Sequence, residues 1–170
     1  MAGFRGNAIL KRLPPESVAC RAAEVGVNEG TLSGWLLGWH RNLTLVMVDH
    51  WGVTYYRDEA QRQNVRKQAF ARTTQEAGRR VVLGGLSVEM AAQVKDGTLD
   101  LVFIDADHEY ESVRDDIAAW APKVRPGGWL GGHDYWKRGG FPGVHRAVDE
   151  AFPEGVELDE DSTWWTRVPR

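Results

Sequence analysis

The chain has 170 residues, 42% of them hydrophobic and 26% charged, a balance that excludes intrinsic disorder and points to one folded domain spanning 1–170. Its 21 Lys and Arg against 24 Asp and Glu leave a formal charge of -3, with no basic footprint for nucleic acid and no polybasic membrane patch. No apolar run approaches the roughly 20 residues that cross a bilayer, and the opening MAGFRGNAILKRLPPES lacks the apolar core of a signal peptide, so a cytoplasmic protein with no membrane partner is expected.

Short runs rich in Val, Leu and Ile alternate with amphipathic stretches, the pattern of a parallel sheet covered by helices on both faces, and the fold class is α/β, Rossmann-like and doubly wound. Strands are expected at Arg21 to Val27, Leu43 to Asp49, Arg80 to Gly84, Leu99 to Asp105 and Gly128 to His133. Helices are expected at Glu29 to His40, Asp58 to Glu76, Ser87 to Lys95 and Glu109 to Ala121, the last presenting Tyr110, Val113, Ile117 and Trp120 on one face before Pro122 stops it. Asp58 and Ser87 suit N-caps, and Gly97 suits a left-handed C-terminal position. Phe141 to Phe152 reads as a final helix, and GVELDEDSTWWTRV as an antiparallel hairpin that raises the sheet to seven strands. The lone Cys20 has no partner for a disulfide and reads as structural.

Chemistry is sought at the carboxyl ends of the strands, where open α/β sheets bind ligands. The first strand runs AEVGVNEG, placing Glu24, Gly26 and Gly30 in an E-x-G-x-x-x-G pattern before a helix, where glycine lets backbone approach a ligand. It is not the G-x-G-x-x-G spacing of a nicotinamide-binding turn. Asp49 ends the second strand, placed to accept hydrogen bonds from ribose hydroxyls. The alternative is that the glycines only make a tight turn and Asp49 only starts a loop.

These residues resemble the class I S-adenosylmethionine-dependent methyltransferases. The resemblance implies that Glu24, Gly26 and Gly30 hold the methionine part of the cofactor and that Asp49 holds its ribose. In VVLGGLSVEM, which is similar to the segment flanking the adenine, Leu86 stands where an acid is common and Ser87 follows. The bland reading of Ser87 is a helix cap.

LVFIDADHEY and RPGGWLGGHDYW carry a second cluster, with Asp105, Asp107 and His108 past the fourth strand and His133 and Asp134 past the fifth. Adjacent strands would bring these carboxylates within about 5 Å, where a hard divalent ion would relieve their repulsion. Asp105 and Asp134 are then metal ligands, and His108, titrating near neutrality, is the general base for a hydroxyl. The competing reading has Asp107 capping a helix, His108 at the surface and Asp134 steadying a turn.

The D-A-D-H-x-Y and G-G-x-D-Y blocks resemble the metal-dependent sugar and macrolide O-methyltransferases and their cephalosporin hydroxylase-like relatives. That resemblance implies magnesium on Asp105 and Asp134, His108 as base and His133 as a third ligand, with Asp105 also counted among the cofactor-binding positions. The expected function is methyl transfer from S-adenosylmethionine to a small-molecule hydroxyl, a sugar among the candidates. The alternative is a non-catalytic S-adenosylmethionine-binding module that needs a partner chain.

The eight tryptophans are read as core or pocket. Trp120 suits the core. His50, Trp51, Tyr55 and Tyr56 after the second strand, and Tyr135, Trp136, Lys137 and Arg138 after the fifth, are equally open to lining an acceptor pocket. Trp164 and Trp165 point to opposite faces of the last strand, so one is expected to be exposed or to meet a partner, such as a second copy.

Overall fold

The apolar strand runs assemble into one seven-stranded sheet in a computed structural model that describes residues 2–52, 58–136, 140–159 and 161–169, the side chains of residues 2–4 apart. The order is β3-β2-β1-β4-β5-β7-β6, from β1 (Cys20–Val25), β2 (Leu43–Asp49), β3 (Arg80–Gly84), β4 (Leu99–Ile104), β5 (Val124–Gly132), β6 (Glu157–Leu158) and β7 (Trp164–Arg167). β1 to β5 are parallel, and β7 runs antiparallel to both β5 and β6. The doubly wound α/β class and the C-terminal hairpin are therefore as expected.

Among the described residues six α-helices cover the sheet: α1 (Ala2–Leu10), α2 (Thr31–Trp39), α3 (Glu59–Arg72), α4 (Ser87–Ala91), α5 (Tyr110–Trp120) and α6 (Pro142–Ala151). α1, α2 and α3 pack with Ala22, Leu45, Met47, Leu101 and Phe103 on one face. α4, α5 and α6 pack with Ala23, Val46, Val48, Val102 and Ile104 on the other. Neighbouring residues along each central strand thus enter different cores, as the two-residue strand period requires and as a sheet covered on both faces permits.

Several expectations are corrected. α1 was not anticipated from the sequence, because its apolar positions, led by Ala8 and Ile9, make only a short stripe. β5 starts four residues earlier than expected, since Arg125 to Gly128 bulge out between the Leu99–Val124 and Leu101–Trp129 pairs. α3 ends at Arg72 and α4 at Ala91, both short of the expected spans. Asp58 caps α3 through the Gln61 N–H, but Ser87 is not a cap: Leu86 holds that position, and no side chain bonds there. Trp164 and Trp165 do face opposite sides, yet both are buried, because α6 covers one face and the α1 region the other. No helix among the described residues is long and apolar enough to cross a membrane.

Candidate active site

The strand register brings the carboxyl ends of the central strands level. Val25 pairs with Ile104, and Ile104 with Gly132, so Gly26, Asp105 and His133 leave the sheet side by side. Backbone bonds continue one step further: Gly26 N donates to Val48 O, Asp105 N to Val25 O and His133 N to Ile104 O, at 2.8, 2.8 and 3.0 Å. The site is therefore an extension of the sheet ladder.

The glycine turn is fixed by close approach. Gly26 has φ 93°, and a Cβ there would stand 2.1 Å from the Asp105 carbonyl oxygen. Gly30, at φ 73°, caps α2, and its Cβ would meet Ala69 Cα of α3 at 2.7 Å. Only glycine satisfies both conditions at these two positions. Beneath the turn, Glu24 is 2% exposed and accepts a hydrogen bond from Ser33 Oγ. Burial pushes its carboxyl up to about 8, with Asp105 and Asp49 adding to the shift against the Ser33 bond. Asp49 holds the turn from the β2 side, Oδ2 accepting from Asn28 N at 2.7 Å and Oδ1 from Trp51 N at 2.6 Å.

Two sequence readings resolve toward the interior. Ser87 Oγ accepts from Trp120 Nε1 at 2.8 Å and bonds the buried Asp116, so its hydroxyl is committed to the core. Leu86 beside it is 56% exposed. Trp51 is 2% exposed, donates Nε1–H to Asn28 O and packs on Phe70, which makes it core. Tyr135 is likewise buried, donating to Asp149, while Trp136 stays exposed. Tyr55, Tyr56, Lys137 and Arg138 lie outside the described residues. Cys20 is buried at the far end of β1, its thiol pushed up to about 11 by that burial, consistent with a structural role.

The acid and imidazole cluster comes together. Asp105, His108 and Asp134 each offer a ligand atom within 4.8 Å of the others. His108 Nε2 lies 2.8 Å from Asp134 Oδ2. His133 Nδ1 is 3.0 Å from the same oxygen and 3.9 Å from Asp105 Oδ1, yet it is buried without an aligned hydrogen bond. Asp134 holds its place with φ 64°, a sparsely populated conformation for a residue other than glycine and a form of strain that concentrates at functional sites. Asp107 is set apart: it accepts from the His108 and Glu109 N–H groups just ahead of α5 and from Ser112 Oγ, but the cap position itself belongs to Glu109 and no side chain bonds there, so the expected helix cap is corrected to a turn ahead of the helix.

Each charge in the cluster is tuned by its neighbours. Burial raises the Asp105 carboxyl above its ordinary value, opposed by Arg5 and His133. Burial also disfavours charge on Asp134, but the imidazoles of His108 and His133 outweigh it and hold that carboxyl well below the usual range. The Asp134 bond raises His108 in turn, against its own desolvation. Two carboxylates, the buried His133 imidazole nitrogen beside them and a cavity of about 10 Å³ lined by Asp105, His108 and His133 are a donor set and a space suited to one small cation.

Sequence reasoning missed two contributors. Arg5 of α1 reaches across to ion-pair with Asp105. Phe141, just before α6, stacks on the His108 ring with centroids 4.0 Å apart and planes 16° from parallel. Neither carries a local signal, since both act on residues distant in the chain.

A family model described as a methyltransferase domain matches residues 23–135. No curated protein matches the sequence. Among solved structures, the O-methyltransferase NovP is similar over 98% of this chain and 80% of its own, with TM-score 0.71 and 20% identity. CalS11, a TDP-rhamnose 3'-O-methyltransferase of calicheamicin biosynthesis, matches over 96% and 76%, with TM-score 0.67 and 16% identity. A protein from Corynebacterium glutamicum matches over 100% and 81%, with TM-score 0.68 and 17% identity. At these identities the structures are similar in fold.

Proposed function

The chain belongs to the methyltransferase-domain family, as a class I S-adenosylmethionine-dependent enzyme, and from that premise we propose that it methylates a hydroxyl of a small molecule with the help of a divalent cation and His108 as base. The observation that carries the proposal is the convergence of Asp105, His108 and Asp134 at the carboxyl edge beside the Gly26 turn.

In this reading the cofactor lies along the turn from Gly26 to Gly30, supported from below by Glu24, with Asp49 toward its ribose. Leu86 and the backbone at Ser87 flank its adenine, the Ser87 hydroxyl being engaged elsewhere. Bound S-adenosylmethionine supplies a methyl group already activated on a sulfonium, so the chain's task is to align the acceptor, take its proton and exclude water. Asp105 and Asp134, with His133 beside them, would hold a divalent ion such as Mg2+, whose positive charge lowers the pKa of a nearby hydroxyl. His108 accepts the hydroxyl proton. Its Asp134 bond and the Phe141 stack fix the imidazole plane, so that proton acceptance requires no rotamer search. The O-methyltransferase activity in the names of NovP and CalS11, the latter acting on a sugar nucleotide, supports a polar hydroxylated acceptor of that kind.

The test is thermal stabilisation by S-adenosylhomocysteine, with magnesium and with chelator, followed by a screen of sugar nucleotides and vicinal diols for methyl transfer. A shift with S-adenosylhomocysteine and transfer that requires magnesium are expected. Cofactor binding without transfer to any acceptor would favour a module that needs a partner chain.

A further inference from the structure

Asp105 has a counter-ion that belongs to neither strand loop. The Arg5 guanidinium, carried on α1, ion-pairs with Asp105 Oδ2 across 100 residues of sequence. The reach of Arg5 is set by the seat of its helix: a Cβ on Gly6 would stand 2.2 Å from the Trp35 ring, so α1 lies flush on α2. The two partners differ in freedom. Asp105 is 15% exposed at the end of a central strand, whereas the Arg5 side chain is 35% exposed, with solvent to move into.

We propose that Arg5 is a competitor built into the cation site: it neutralises Asp105 when no divalent ion is present and yields the carboxylate when one binds, so that α1 sets the affinity of the site. This rests on the metal-assisted reading above. Asp105 and Asp134 are two carboxylates of one small cluster, and their mutual repulsion calls for positive charge between them. A guanidinium and a dication meet that need in mutually repelling ways, and the same carboxylate cannot be fully shared between them at close range. The long, partly exposed arginine is the mobile member, because its charged end can be rehydrated while its stem stays on the protein. Arg5 thereby discriminates against weakly held cations, admitting only those whose charge and desolvation displace a fixed ion pair.

The experiment is calorimetric titration of Mn2+ at pH 8 into the intact protein and the variants R5M and R5Q. Each variant keeps a long stem over the site while removing the charge, and S-adenosylhomocysteine binding in each confirms a folded site. Affinity for Mn2+ is expected to rise about tenfold in both, since the competing cation and its repulsion are lost together. Unchanged or weaker Mn2+ affinity in the folded variants overturns the proposal. If the intact protein and both variants bind S-adenosylhomocysteine but none binds Mn2+, the metal-assisted reading itself fails, and this inference with it.

Discussion

His108 Nε2 and Asp134 Oδ2 lie 2.8 Å apart, joining the turn after β4 to the end of β5. The contact raises the imidazole and lowers the carboxyl, so it stabilises the fold only while both are charged. A group raised in the folded state contributes fully below its unfolded value near 6.5 and loses that contribution as pH climbs through the folded one. The carboxyl contributes above its unfolded value near 3.9 and keeps doing so until pH falls through its depressed folded value. Urea unfolding of the intact protein and H108Q should therefore differ most near pH 5, by about 1–2 kcal/mol, and converge as pH climbs through the raised imidazole value. A difference that grows with pH would show that the pair is not an ion pair.

Removing the imidazole altogether separates proton transfer from binding. H108A should cut methyl transfer to an acceptor found by screening by about 10²-fold or more, while the affinity for S-adenosylhomocysteine, read by calorimetry, stays within about twofold of that of the intact protein. Equal loss of cofactor binding, or full activity, removes His108 from the base role.

Glu24 offers a second loss of stability with rising pH, over a lower range. Its buried carboxyl sits at about 8, so folding favours the protonated form and stability falls as pH rises between about 4.5 and 8. E24Q keeps the shape and the polar group that faces Ser33 without the titration. The variant should match the intact protein near pH 4 and become progressively more stable than it toward pH 8, with a slope that approaches about 1.4 kcal/mol per pH unit. Parallel stability curves would place the Glu24 proton elsewhere.

Gly26 tests the close approach on which the turn depends. G26A combines φ 93° with a Cβ 2.1 Å from the Asp105 carbonyl oxygen, and the backbone of a residue just past β4, whose N–H is bonded to Val25 O, cannot move aside cheaply. A loss of about 3 kcal/mol or more is expected by urea unfolding, along with loss of S-adenosylhomocysteine binding. Wild-type stability would mean that the ladder gives way more readily than its bonds indicate.

The central sheet and most of the site were legible because their signals are local. Apolar runs ending in Asp, Gly or His mark β1 to β4 and place Gly26, Asp49, Asp105 and His108 at one edge, and the D-A-D-H and G-G-H-D blocks needed only adjacent strands to meet. What stayed hidden depends on contacts between distant parts of the chain. Ser87 looks like a cap by spacing, but Trp120 and Asp116 claim its hydroxyl. Trp51 looks equally suited to pocket or core until Phe70 closes over it. Arg5 and Phe141 reach the site only through the docking of α1 and α6, which no sequence period encodes.

The same docking explains the double burial of Trp164 and Trp165. Trp165 faces the α1 side, where the Arg12 guanidinium lies 4.4 Å from its ring and 5.2 Å from that of Trp129. Arg12 also bonds Asp159 at 2.7 Å and Glu157 at 3.1 Å, so one side chain ties the turn after α1 to the C-terminal hairpin. With a side chain only 9% exposed, it acts as a packed lid over the indoles as much as a charge. R12A should cost about 2–4 kcal/mol, while D159N, which removes one ion-pair partner and leaves the stack, should cost about 1 kcal/mol. Urea unfolding with tryptophan fluorescence separates the two, since only R12A opens Trp165 to solvent and shifts its emission to the red. Equal losses in the two variants would assign the stability to the ion pairs and leave the covering of Trp165 to the apolar residues of α1.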